Sequence, residues 1–301
     1  MPNASSTTVA SFTSSSYFAL PTYDAALFVK IHETPTFLPP HENEESRRGI
    51  LIVTAVITLV HLILLGAIKL YIGNTKGEDK KSNSQAAWKA SYQLTNLLVN
   101  LTLGVLGIYF ELSGSHTDHS VVHKIGGYPE IRYFALIQIG YQLWALPVGI
   151  FFVGETTSMI VHHVAVICVA STSAFLSCGF RYFTPFFYGV IEISSVPLSV
   201  MNAFKNNPEW IKAYPVMYSQ VRLLFGLTFL LVRVVFWTPF YWDFITLAMM
   251  LLRSSEGSTK VILALFNLSS MVLSALQYFW ASKIISAMVK GGPKKGRKKV
   301  D

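Results

Sequence analysis

About seven windows of roughly 20 mostly apolar residues run through this chain of 301, near 50–72, 89–112, 133–153, 160–179, 184–203, 218–241 and 261–288. A helix crosses the hydrocarbon core of a bilayer in roughly 20 such residues. Runs of this length exceed what a barrel strand needs, and they do not alternate between apolar and polar positions. Closed helices are therefore the spanning form, because every backbone polar group in lipid must be satisfied within its own segment. With 52% hydrophobic and 13% charged residues, and a mean hydropathy of +0.45, the chain is too apolar for a soluble domain of its size. The expected class is all-α: a polytopic membrane protein of about seven transmembrane helices.

Basic residues set the expected orientation. Lys69, Lys76, Lys80, Lys81 and Lys89 cluster around the first connection, Lys205 and Lys212 around 205–217, and the tail GGPKKGRKKVD is densely basic. Basic segments favour the cytosol, which puts these three on the inside and the N-terminus on the luminal side. An odd number of spans agrees.

The ends are read apart from the fold. Residues 1–49 form a polar luminal tail without the basic-then-apolar layout of a cleaved signal, and 50–72 is an additional transmembrane helix. Asn3-Ala4-Ser5 is a glycosylation sequon very close to the terminus. Residues 290–301 form a basic cytosolic tail. Its Lys298 and Lys299 are spaced as in dilysine retrieval signals of the endoplasmic reticulum, and equally as in a stop-transfer cluster against anionic lipid. Cys168 and Cys178 sit too far apart along one expected helix for a disulfide and read as apolar filler.

Ionisable groups at membrane depth are costly and tend to face a bundle interior or a watery cavity. His162 and His163 begin the fourth apolar run, and Glu192 lies in the fifth. Two imidazoles can supply a base, a nucleophile or a hydrogen-bond donor. Polar residues recur at helical spacing in four spans: Gln93, Asn96 and Asn100; Gln138, Tyr141 and Gln142; Glu192, Ser195, Ser199 and Asn202; Asn267, Ser270, Ser274 and Gln277. One such stripe is ordinary interhelical glue, but four with a histidine pair point to a shared polar cavity. Arg222 and Arg233, eleven residues apart, share one expected face. Arg222 can snorkel, whereas Arg233 needs a partner, for which Glu192 is the available carboxylate. Either a structural ion pair or a ligand anchor follows. Pro197 is expected to kink its helix one turn after Glu192.

An ordered set of motifs carries a family resemblance. WKASY opens the second span at 88–92, and ETTSMIVHH occupies 155–163. GVIEISSVPLSVMN follows at 189–202, then a Phe-x-x-x-Phe-x-x-x-Arg at 225–233, then Asn267 with Gln277-Tyr278-Phe279-Trp280. From about 88 to 289 the chain resembles the TLC domain of translocating-chain-associated proteins, ceramide synthases and a neuronal ceroid lipofuscinosis protein. The resemblance implies six helices in a ring around a central, lipid-accessible cavity, residence in the endoplasmic reticulum and work on lipids. Ceramide synthases carry a His-Asp and a further Asp on the helix after the pair, where this chain reads Tyr188-Gly189-Val190-Ile191-Glu192. That departure sets it nearer the small TLC-domain proteins and argues against sphingoid N-acylation.

Two readings follow. In the first, His162 or His163 acts as base or acyl acceptor, Glu192 orients the imidazole, and Arg233 with Ser195, Asn202 and Gln277 holds a lipid headgroup or oxyanion. Acyl-CoA is then the implied co-substrate and a lipid amine or hydroxyl the acceptor. In the second, the same residues bind, sense or relocate a membrane lipid without bond-making. No metal is implied, since His61, His116, His119 and His123 are not tied by spacing to the pair. His61 reads as a helix-packing residue. The net charge of +8 concentrates where topology explains it, so membrane lipids rather than nucleic acid are the expected partners, and no residue pattern speaks to an oligomeric state.

Overall fold

The computed structural model describes residues 36–75, 80–114 and 119–290. The sequon at Asn3, most of the N-terminal tail, His116 and the lysines at 298 and 299 lie outside them. The described residues are helical, with helices α1 (Pro40–Thr75), α2 (Lys80–Ser113), α3 (Val121–Gly126), α4 (Tyr133–Val148), α5 (Thr157–Phe175), α6 (Thr184–Tyr188), α7 (Ser195–Asn206), α8 (Pro208–Ala213), α9 (Pro215–Leu230), α10 (Trp237–Ser254) and α11 (Gly257–Lys290). Seven stretches are long and apolar enough to cross a membrane: Pro40–Ile72, Asn83–Ser113, Val121–Val153, Thr157–Phe175, Arg181–Asn206, Pro215–Ser254 and Gly257–Val289. The protein is an all-α polytopic membrane protein.

The first helix starts at Pro40, well before the apolar window that begins at 50. Proline is favoured at a helix start, and Glu42 in the first turn complements the helix dipole. Glu42 also accepts an ion pair from Arg132 at 2.9 Å, tying this extension to the start of α4. Leu51, Ile52, Leu59 and Ile63 stay exposed on α1, as befits a lipid-facing helix.

Three spans are broken, and each break supplies a site residue. α4 ends in a π-helical turn, Gly149–Val153, whose Gly154 adopts φ +76°. The fifth span is α6, a 3-10 segment Val190–Ser194, and α7. The expected kink at Pro197 is therefore a different feature. The helix is already interrupted upstream, and Pro197 occupies the first turn of α7, where its missing N–H has no intrahelical partner to lose. The sixth span passes from α9 to α10 through a π-helical stretch, Leu231–Phe236. Such insertions recur at functional sites because the extra residue redirects the side chains that follow.

At the end of the bundle away from these breaks, Phe180, Phe244 and Phe266 pack with ring centroids 5.4 Å apart in each pairing. Arg181, only 1% exposed, donates to the carbonyls of Ser173, Leu176 and Ser177 and so caps the last turn of α5. Leu38 and Thr36 pair their backbones with Phe175 and Ser177, closing the chain's described start over the same turn. His61 is 1% exposed between the rings of Trp88 and Trp144, where it packs α1 against α2 and α4.

α2 crosses the fifth span at glycine. A Cβ on Gly107 would stand 2.4 Å from the amide nitrogen of Val190, and one on Gly66 would meet nothing within 4 Å. Gly107→Ala is expected to destabilise the protein by about 1–3 kcal/mol through overpacking, lowering the thermal midpoint of detergent-solubilised protein, with Gly66→Ala unchanged. Both cysteines are free; Cys178 is buried, and burial pushes its thiol up to about 12. In a Cys168→Ala background, Cys178 should resist maleimide at neutral pH until the protein is unfolded, since the thiolate is the reactive form.

Candidate functional site

A cavity of about 410 Å³ opens within the bundle. Its lining comes from α2, α4, α5, the fifth span, α9 with its π-helical extension, and α11; α1 contributes none. The six later spans thus enclose it, and the additional N-terminal helix packs outside. Below it a narrow, mostly apolar pocket of about 30 Å³, room for one water molecule, reaches Val166, Phe187, Trp237 and Phe244. His162 and Glu192 line both spaces and so stand at their junction.

Glu192 is the node of the buried polar groups. Arg233 Nη2 reaches its Oε2 at 3.2 Å, with the two side chains 6% and 9% exposed. Ser195 Oγ donates to the same oxygen at 2.7 Å, and Gln138 Nε2 donates to Oε1 at 3.1 Å. Arg233 spends its other donors on Ser194 Oγ at 2.7 Å and Ser195 Oγ at 2.9 Å, with Gln277 Oε1 at 3.4 Å. The pair is thus desolvated but almost fully satisfied, the condition under which buried charge is tolerated. It also joins spans five, six and seven.

From this carboxylate a directed chain leads to the histidines. An ionised Glu192 can only accept, so Gln138 must present its amide nitrogen to it and its oxygen to the far side. That oxygen accepts from Gln142 Nε2 at 3.0 Å, which turns the oxygen of Gln142 toward His163. His163 Nδ1, hydrogen-bonded to Gln142 Oε1, therefore carries a proton. Two glutamines one helical turn apart on α4 thus transmit the charge of Glu192 into the tautomer of His163.

The other nitrogen of His163 faces a residue not singled out from the sequence. Its Nε2 lies 2.9 Å from Glu155 Oε2, and Tyr92 donates to Glu155 Oε1 at 2.7 Å. Whichever atom holds it, one proton is shared between Nε2 and Oε2. The expected role of Glu192 is corrected here: among the described residues it bonds to neither imidazole and acts on His163 only through Gln138 and Gln142, while Glu155 makes the contact. Helical spacing could not have found Glu155. It precedes α5, and the π-helical turn with Gly154 folds it back so that its side chain packs on Gly149, whose carbonyl accepts the Glu155 amide at 3.0 Å.

His162 differs from its neighbour. Its ring lies edge-on to Trp280 at 5.5 Å and to His163 at 5.8 Å, and its buried Nδ1 has no hydrogen-bond partner. Of the residues expected in the site, His162, His163, Glu192, Ser195, Asn202 and Arg233 line the main cavity; Gln277 lines the deeper pocket and touches Arg233. Arg222 is not with them. It is exposed and lies over the Tyr218 ring, eleven residues before Arg233, about three helical turns along the same span. Among the described residues no group of three or more His, Cys, Asp or Glu is arranged to hold a metal ion.

Removing one partner of a buried ion pair leaves an uncompensated charge, at a cost of about 3–5 kcal/mol. Arg233→Ala should therefore destabilise the detergent-solubilised protein by that order. The double variant Arg233→Met with Glu192→Gln should recover a large part of it in the same unfolding measurement.

A model of the TLC domain family matches residues 88–286. No curated protein and no solved structure matches the chain. The matched stretch covers spans two to seven, the same six that enclose the cavity, and the chain belongs to the TLC-domain family of membrane proteins.

Proposed function

We propose that the protein is a lipid-modifying enzyme of the endoplasmic-reticulum membrane. It transfers an acyl group from a thioester, such as acyl-CoA, to an amine or hydroxyl of a membrane lipid. The observation that carries this reading is His162: an imidazole with an unpartnered Nδ1, at the junction of a polar cavity and an apolar pocket. That junction is where the head-to-tail linkage of an amphiphile, and hence its reactive group, would lie. The lysine-bearing ends of α7 and α11 would face the cytosol, where the thioester is supplied.

The chemistry divides between the two histidines. His162 takes the proton from the acceptor O–H or N–H as that atom attacks the thioester carbonyl carbon. The new C–O or C–N bond forms, the C–S bond breaks, and the leaving thiolate takes the proton back from the imidazolium. His163, engaged at both nitrogens by Gln142 and Glu155, is a positioning residue that holds the turn of α5 from which His162 projects. With its donors taken by protein groups, Arg233 acts as a brace for the cavity wall rather than as the oxyanion donor.

A second reading has its own support. The deep pocket holds only about 30 Å³, too little for an acyl chain, so a lipid whose tails stay in the bilayer and whose headgroup alone occupies the cavity also fits. A non-catalytic protein that senses or relocates lipids would use the site in that way. Purified full-length protein supplied with acyl-CoA and mixed membrane lipids distinguishes the two by CoA release and mass spectrometry of products. The enzyme reading predicts release that falls about 100- to 10,000-fold in His162→Ala, the usual weight of general acid–base catalysis, and by less in Glu155→Gln. Lipid recovered chemically intact, with no CoA released by the unaltered protein, would overturn the enzyme reading and leave the binder.

A further inference from the structure

The cavity is not electrically balanced. Its lining holds three cations, Lys205, Arg233 and Lys283, against two carboxylates, Glu155 and Glu192. Both carboxylates are taken up at depth, Glu192 by Arg233 and Glu155 by His163 and Tyr92. The two lysines are left over. They come from different helices, Lys205 near the C-terminus of α7 and Lys283 near that of α11, and both are exposed where the cavity meets its surroundings. Neither has an ion-pair partner among the described residues. Lys283 Nζ is held 4.8 Å over the Phe279 ring, and Arg222 lies within electrostatic reach of Lys205. Both lysines thus line one cavity, with a further cation close to Lys205.

The wall beside the lysines is thin. Phe225 of α9 and Ile284 of α11 line the cavity, while their neighbours Leu224, Leu227, Ile285 and Met288 are exposed on the apolar surface of the same two helices. Gly226 lets the helices approach there, since a Cβ on it would lie 3.2 Å from Met288 Sδ. One layer of helix, α9 with α11, therefore lies between this part of the cavity and the apolar outer surface.

We propose that this mouth is a phosphate-binding subsite, in which Lys205 and Lys283 together hold the phosphate monoester or diester of an amphiphile whose stem leads inward to His162. The proposal deepens the lipid-handling reading above and rests on it. Two ammonium groups without acidic partners, beside a low-dielectric wall, suit a doubly charged or diffuse oxyanion, because charge-assisted hydrogen bonds strengthen when water is displaced. The phosphate can come from a phospholipid reaching the site from the membrane or from a phosphorylated carrier in solution; the chemistry of the seat is the same.

Native mass spectrometry of the full-length protein, released from micelles containing phosphatidic acid or diacylglycerol, reads the seat directly. The protein should retain phosphatidic acid at least about tenfold better than its phosphate-free counterpart, the order of one charge-assisted hydrogen bond. Lys205→Glu with Lys283→Glu should erase that preference, and Lys205→Arg with Lys283→Arg should keep it. Both lysines are exposed, so unchanged thermal midpoints verify that the variants fold. Adding soluble CoA separates the sources. Displacement of phosphatidic acid that depends on the lysines assigns the phosphate to a soluble carrier; retention assigns it to the lipid. Equal retention of both lipids by the unaltered protein, or an undiminished preference in the glutamate variant, overturns the subsite. The readout is binding, so a protein that shows the preference without acyl transfer overturns the enzyme reading alone. One that transfers acyl groups without the preference overturns only the subsite.

Discussion

A carboxylate and a guanidinium, Glu192 and Arg233, meet at 3.2 Å inside a bundle whose outer surface is apolar, and much of the architecture around them answers to the cost of having put them there. Charge at hydrocarbon depth must be paired and hydrogen-bonded. The donors and acceptors that meet this demand, Ser194, Ser195, Gln138 and Gln277, come from spans three, five and seven. A continuous fifth helix would point Ser194 and Ser195 differently. The 3-10 segment at Val190–Ser194 and the π-helical stretch at Leu231–Phe236 are the local irregularities that aim these groups at one another.

The same node reaches the histidines. Through Gln138 and Gln142 the charge on Glu192 orients two amides and places a proton on His163 Nδ1, while Glu155 and Tyr92 hold the other side of that ring. His163 is thereby immobilised between two carboxylates, one remote and one adjacent. His162, on the next residue, projects toward the junction of cavity and pocket with Nδ1 unpartnered. Adjacent residues of one type thus stand in unlike environments, His163 engaged at both ring nitrogens and His162 with a buried Nδ1 that has no hydrogen-bond partner.

The narrow apolar pocket adjoins the polar cavity at His162 and Glu192, and the lysine-bearing ends of α7 and α11 line the same cavity. α1 stands outside both spaces. It is joined to α2 and α4 through His61, Trp88 and Trp144 and to the start of α4 through Glu42 and Arg132, so it braces the enclosing helices without lining the cavity.

The sequence by itself determined the helical class, the number of spans and the inward polar stripes. Those follow from apolar length and from a 3.6-residue period, which are properties of a chain in lipid before any tertiary contact forms. It also brought His162, His163, Glu192 and Arg233 into consideration, because ionisable groups among apolar residues are conspicuous wherever they sit. Tertiary structure decided who touches whom. Glu155 lies outside any span-like periodicity and comes to His163 only because Gly154 turns the chain back at φ +76°. Arg181 likewise stands at the edge of an apolar run, yet is buried as the cap of α5. Helical periodicity assumes an unbroken helix, and Glu155, Glu192 and Arg233 sit at or beside the breaks, where the backbone trades regular hydrogen bonding for the direction in which a side chain points.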